Sequence, residues 1–179
     1  MDKLSQAKML AKSRFIPKEF RDREEDIFFM LDFVEKLGGD VSLLQALNGV
    51  YFNKNNEPHM KAHLLLALIN NEKISNFKGG VRWRVEHQDG DMIVTAVINY
   101  GGENKTETLR LSDAKTCYNN KLWNAHPEYL LKLKTVTLLT RLWASQILGG
   151  LYTEEEDLDI NGIKDTSDYN TVHNLLNNK

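Results

Sequence analysis

The sequence predicts an α+β fold: N-terminal helices, a three-stranded antiparallel β-meander, then one long central helix laid across it, a βββα core. Three observations predict it. Apolar residues recur at helical spacing through residues 22–37 and 60–70. Between Gly79-Gly80 and Leu111 the period switches to two, with a second glycine pair at Gly101-Gly102. From Pro127 to about Leu148 the helical period returns and closes on Gly149-Gly150.

Each element follows from local chemistry. Residues 1–14 read as a basic, partly helical arm. Asp22 is the expected cap of a helix to Leu37: Glu24, Glu25 and Asp26 suit its positive end, and Gly38-Gly39 stops it. Its core face is Ile27, Met30, Leu31 and Val34, with Phe28 and Phe29 widening the buried surface. A short helix around Ser42–Leu47 precedes a small hairpin, Val50 to Asn53, turning at Lys54–Pro58, and Met60–Asn70 is a second helix. Val81–His87 alternates apolar and polar, Met92–Tyr100 is a more buried strand beyond the turn Gln88–Asp91, and Lys105–Leu111 is the third. Ser112–Lys115 starts a short helix, and Pro127 suits the first turn of the long one.

A chain of 179 residues with 41% hydrophobic and 27% charged residues is expected to form one soluble domain without staples. The boundaries expected are a domain over 1–156, including a basic arm over 1–21, and an acidic, loosely ordered tail over 157–179. A single cysteine, Cys117, excludes an internal disulfide and suits a reducing compartment. The longest apolar run, Leu64–Ile69, is too short to cross a bilayer, and the N-terminus has no apolar signal core, so a cytoplasmic location is expected. The net charge of −2 hides an asymmetry: residues 78–141 carry 10 basic against 7 acidic side chains, residues 142–179 only 2 against 7. Local charge decides where a polyanion sits, so this composition permits a nucleic-acid partner.

Cations of the second half are the candidate site. Lys134, Thr137, Arg141 and Ser145 fall on one narrow stripe of the long helix, whose remaining surface (Leu131, Leu133, Val136, Leu139, Leu142, Trp143, Ile147) is apolar and expected to be buried on several sides. Buried cations need partners. Either an acid such as Glu86 or Glu107 lies opposite, or the stripe lines a groove for an anion. Lys132 lies on the other side of the helix, so Lys134 is the one expected to share Arg141's groove. Arg82 and Arg84 share one strand face, Trp83 and Val85 the other; Lys78 precedes that strand, Lys105 and Arg110 sit on the third, and Lys121 and Trp123 lead into the long helix. Cations interleaved with aromatics suit single-stranded nucleic acid, although solvated sheet faces carry such residues too.

The run Leu122-Trp-Asn-Ala-His-Pro-Glu-Tyr-Leu-Leu-Lys-Leu-Lys-Thr135, followed by Arg141 and closed by Gly150-Leu-Tyr-Thr-Glu-Glu155, resembles the signature of the RecT family of phage recombinases. That family has a Trp, a Pro soon after, a Met-Leu pair with two alternating basic residues, an Arg two turns on, and Gly-Leu-Tyr-Thr-x-Glu-Glu. Upstream, Ser13-Arg-Phe-Ile-Pro-Lys-Glu-Phe20, Ala46–Tyr51 and Pro58–Leu64 are similar to the family's opening, hairpin and following helix. The match spans roughly residues 13–156, with Lys132 and Lys134 where arginine is usual and Leu130 where methionine is common. Lysine neutralises phosphate without the bidentate fork.

The resemblance implies a short member of the family: a DNA-binding, single-strand annealing protein of the bacterial host cytoplasm, working in phage-type DNA recombination and repair, not an enzyme and needing no cofactor. Its implied partners are single-stranded DNA, the annealed duplex, further copies in a homo-oligomeric ring or helical filament, and a phage exonuclease or host single-strand-binding protein. Annealing needs a groove that holds the backbone and leaves base edges free. The groove candidates are Lys78, Arg82, Arg84, Lys105, Arg110, Lys121, Lys132, Lys134 and Arg141. Trp123 stacks on bases or packs in the core, and packing is the expectation for Trp.

Other constellations point less far. His59 and His63 have the spacing of a helical metal pair but lack a third ligand, so no metal site is expected. Cys117 and His126 do not suggest a nucleophile and base beyond chance. Glu154–Asp159 lacks the glycine and alternation of a calcium loop, and the glycine pairs are strand punctuation rather than phosphate loops. The competing readings are a metal-dependent nuclease, or nuclease subunit, using Glu154–Asp159, and a non-catalytic self-assembling scaffold.

Overall fold

In the computed structural model, which describes residues 2–38, 40–115, 121–153 and 156, the chain is α+β as expected. Helices α1 (Lys3–Ala11), α2 (Glu24–Lys36) and α3 (Leu43–Asn48) come first, followed by a hairpin of β1 (Val50–Phe52) and β2 (Pro58–Met60) and by helices α4 (Ala62–Asn70) and α5 (Glu72–Ser75). The meander is β3 (Arg82–Gln88), β4 (Asp91–Tyr100) and β5 (Glu103–Arg110), in that order and antiparallel throughout. Helices α6 (Leu111–Lys115), α7 (Lys121–Ala125) and α8 (Pro127–Trp143) follow, and β6 (Tyr152–Thr153) returns to pair in parallel with β2. Residues 157–179, expected to form the acidic tail, lie outside the described residues. No helix among those described is long and apolar enough to cross a membrane.

The arm is a docked helix. Asp2 caps α1 by accepting the Ser5 N–H at 2.9 Å, Ala7 and Ala11 are buried, and Lys3 pairs with Asp32 at 3.0 Å and with Glu35 on α2. Asp22 does not cap α2. Its backbone takes a left-handed turn at φ +58°, which Asp tolerates, and its N–H bonds the Ala11 carbonyl; the helix starts at Glu24 with Arg23 paired to Asp26. Ile27, Met30 and Phe33 are the buried face of α2, whereas Phe28 and Phe29 remain exposed because only one stripe of α2 meets the core.

Two apolar clusters hold the molecule. The larger joins α1–α4 and the hairpin to Phe77, Ala96, Ile98, Val136 and Leu139. The smaller gathers Val94, Ala114, Trp123, Leu130 and Leu131 between sheet and α8, and Trp83 packs against both. Helix α8 therefore covers one face of the meander. It is not apolar-buried all round: Leu138, Leu142 and Trp143 are exposed. It also ends at Trp143 rather than near Leu148. Ala144 leaves helical geometry at φ −149° and a 3-10 turn, Ser145–Leu148, follows. No proline or glycine marks that break. The turn buries Ile147 and Leu148 and swings Leu151–Thr153 alongside β2. Gly149 makes it possible: its φ is +56°, and a Cβ there would lie 2.5 Å from the Phe33 ring.

Candidate nucleic-acid interface

Strand parity sorts the cations. Arg82 lies opposite Val97, which lies opposite Thr106; Arg84 opposite Thr95 and then Thr108; Glu86 opposite Ile93 and then Arg110. Cross-strand partners share a face, so Arg82, Arg84 and Arg110 stand together with a floor of threonines. This is the face away from α8, because Trp83, Val85, Val94 and Leu109 point to the helix-side cluster. Thr95 and Thr108 share a hydrogen bond at 3.0 Å, and Asn99 donates to Asn104 at 3.3 Å, so hydroxyls and amides alternate with Ile93 and Val97 along the middle of the face. Lys78 is tied to the same end by its N–H to the Asn99 carbonyl at 3.0 Å. Lys78, Gly79, Arg82, Asn99 and Gly102 line an open concavity of about 530 Å³. Lys78, Arg82, Arg84 and Arg110 are all exposed. The carboxylates sharing this face are Glu86, 3.8 Å from Arg84, and Asp91 at its far end, already bonded by the Ser112 N–H and hydroxyl.

The other candidates lie elsewhere. Lys105 is opposite Ile98, which puts it on the helix side, paired with Glu103 and 4.5 Å from the Trp143 ring centre. Lys132 pairs with Glu128 one turn back, and Lys134 is half-buried on the stripe of Arg141. The sheet thus separates two groups of cations that the sequence presented as one groove. The side chain of Lys121 lies outside the described residues, as do Cys117, Glu154, Glu155, Asp157 and Asp159. Trp123 is 2% exposed, among Val94, Ala114, Leu130 and Leu131, so it packs and offers no face to a base.

Arg141 has an acidic partner, and it is neither Glu86 nor Glu107. Glu86 is on the open face, beyond reach of α8; the partner is Glu156, at the end of the returning segment. Nε of Arg141 donates to Glu156 Oε1 at 2.9 Å and one terminal nitrogen to Oε2 at 2.7 Å, and that nitrogen also reaches the Leu151 carbonyl at 2.8 Å. The Thr153 N–H and hydroxyl complete the cradle at 2.8 and 2.9 Å. Partial burial pushes the Glu156 carboxyl up, but the Arg141 fork and the two Thr153 donors outweigh it and hold the group below the ordinary carboxylate range. A carboxyl depressed in the folded state adds stability above its unfolded value, about 4.3, and loses it as pH falls through the folded value. The melting-temperature advantage of the wild type over Glu156→Gln is therefore expected to be full at pH 7 and to shrink steadily below about pH 4.3 in a series of thermal melts.

Residues that sequence reasoning missed are Thr95, Asn99, Thr106 and Thr108 on the open face and the Thr153–Glu156 cradle. The threonines were available from the alternation of β5, where Thr106, Thr108 and Arg110 share parity and Lys105 does not. Thr153 and Glu156 have the Thr-x-x-Glu spacing of a capping box, which is a local signal; the link to Arg141, 15 residues from Glu156, gave none. His59 and His63 are not a helical pair: His59 lies on β2, buried between Tyr51 and Tyr152, and the helix begins only at Ala62. Among the described residues, no group of three His, Cys, Asp or Glu side chains could hold a metal ion. Comparison with known proteins adds no relative to this geometry: no family model, no curated protein and no solved structure matches the chain.

Proposed function

We propose that this chain binds single-stranded DNA on the open face of its meander and anneals complementary strands without ATP, as an assembling, non-enzymatic protein of phage-type recombination acting in the host cytoplasm. The observation that carries the reading is the open face itself: Lys78, Arg82, Arg84 and Arg110 around a floor of Thr95, Thr106, Thr108 and Asn99. Such a surface offers charge to phosphates and neutral donors and acceptors to sugars, and the described residues of its three strands place no aromatic ring on that face. A second support is that the two halves of the RecT-like signature fold onto each other, Arg141 clasping Leu151 and Glu156.

The test is annealing itself. Two complementary oligonucleotides, one fluorescent and one quenched, are mixed with the protein without nucleotide triphosphate, and a scrambled strand serves as control. Faster pairing of the complementary strands alone is the expected result. Binding without faster pairing reduces the protein to a strand-coating role, and no binding at moderate salt overturns the reading in favour of a self-assembling scaffold.

A further inference from the structure

We propose that Phe15 of one copy of this chain docks into an apolar cleft beside α2 of the next, joining copies head to tail. The inference deepens the assembling part of the function proposed above and draws on no residue of the open sheet face.

Phe15 is 88% exposed, the most exposed large apolar side chain described. It is not on a loose tail. Its N–H donates to the Ser13 hydroxyl at 3.2 Å, and Ile16 beside it is buried. The Arg21 guanidinium grips the carbonyls of Arg14 and Ile16, on either side of it, at 3.2 and 3.3 Å. The benzyl group is thus held out from a fixed backbone, so little freedom remains to be lost when it is buried against a partner.

The cleft has the size and character to receive it. Phe20, Phe29, Met30, Val50, Phe52 and Pro58 line a space of about 230 Å³ with Asp26 at its lip. An engineered apolar cavity of about 150 Å³ suffices for benzene, so a phenyl ring fits. Phe29, at 41% exposed, forms one wall that awaits a neighbour.

Charge selects the pairing. The exposed charges flanking Phe15 along the chain are mostly basic: Lys12, Arg14, Lys18 and Arg21, against Glu19 and Asp22. Those around the cleft are mostly acidic: Glu25 and Glu57 are exposed and Asp26 lines it, against exposed Lys54 on the hairpin, while Arg23 is occupied with Asp26 and the Phe52 ring. Knob against knob or cleft against cleft would set like charges together; knob into cleft sets opposite ones together. A contact between two different patches of one chain is heterologous, and repeated rotation through it produces a closed ring or a helical filament.

Sedimentation of the full chain, with and without oligo(dT), tests this through two variants, Phe15→Glu and Phe29→Glu. Both side chains are exposed, so far-UV circular dichroism should be unchanged. The wild type is expected to sediment well above the 20.6 kDa monomer and each variant as a monomer. An equimolar mixture of the two is expected to stop at a 1:1 dimer, because it retains one intact knob and one intact cleft. A Phe15→Glu protein that assembles like the wild type overturns the proposal, as does a wild type that stays monomeric or a mixture that stays monomeric. Oligo(dT) binding by the monomeric variants is measured alongside, so failure of this contact is separable from failure of the DNA-binding reading.

Discussion

Replacing Arg82, Arg84 and Arg110 together with Gln is expected to weaken binding to single-stranded DNA about 100-fold at 0.1 M salt. Each phosphate neutralised on a single strand contributes about 0.7 to the slope of log affinity against log salt, so three lost contacts flatten that slope by about 2 units. The fold should not notice. All three side chains are exposed on the face away from α8, and the Arg84–Glu86 contact at 3.8 Å between solvated groups is worth little. Fluorescence anisotropy titrations across a salt series, with a thermal melt of each protein, give both readouts. An unchanged slope with an intact fold would move the phosphate contacts off this face, first to the Lys134–Arg141 side of the molecule.

Arg141→Gln is expected to act on the fold instead, costing about 2–3 kcal/mol in a urea melt. Breaking a fully buried pair by removing one partner costs about 3–5 kcal/mol; here the two side chains retain 30% and 22% exposure, which lowers the figure. The variant leaves Glu156, the Leu151 carbonyl and the β6 segment without their tie to α8, so β6 should be the first part to lose amide protection in hydrogen exchange. Glu156→Gln should cost less, about 1 kcal/mol, because an amide still accepts from Arg141 and Thr153. A full-strength fold in Arg141→Gln together with lost DNA binding would reverse this assignment and make Arg141 a ligand contact.

The contrast between these two predictions rests on what one-dimensional patterning can carry. Alternation over 82–88 and 103–110 identifies strands and, read with its parity, separates Arg82, Arg84 and Arg110 from Lys105. Helical spacing likewise places Lys134 and Arg141 on one stripe. Neither pattern says which face of the sheet meets α8, and so neither says that the two sets of cations lie on opposite sides of the sheet. Phe28 and Phe29 show the same limit: apolarity at helical spacing predicts burial only on the stripe that finds a neighbour, and α2 has one.

By itself, then, the sequence determined the order and type of the main elements, because side-chain period, glycine pairs and Pro127 act within a few residues of themselves. It also set packing as the expectation for Trp123, which the structure places at 2% exposure among Val94, Ala114, Leu130 and Leu131. Tertiary structure alone decided the break at Ala144, the parallel pairing of β6 with β2, and the choice of Glu156 as partner for Arg141. Those outcomes depend on which distant groups meet once two apolar clusters have closed. Contacts between residues far apart in the chain are selected by the whole packing, and no local period records them.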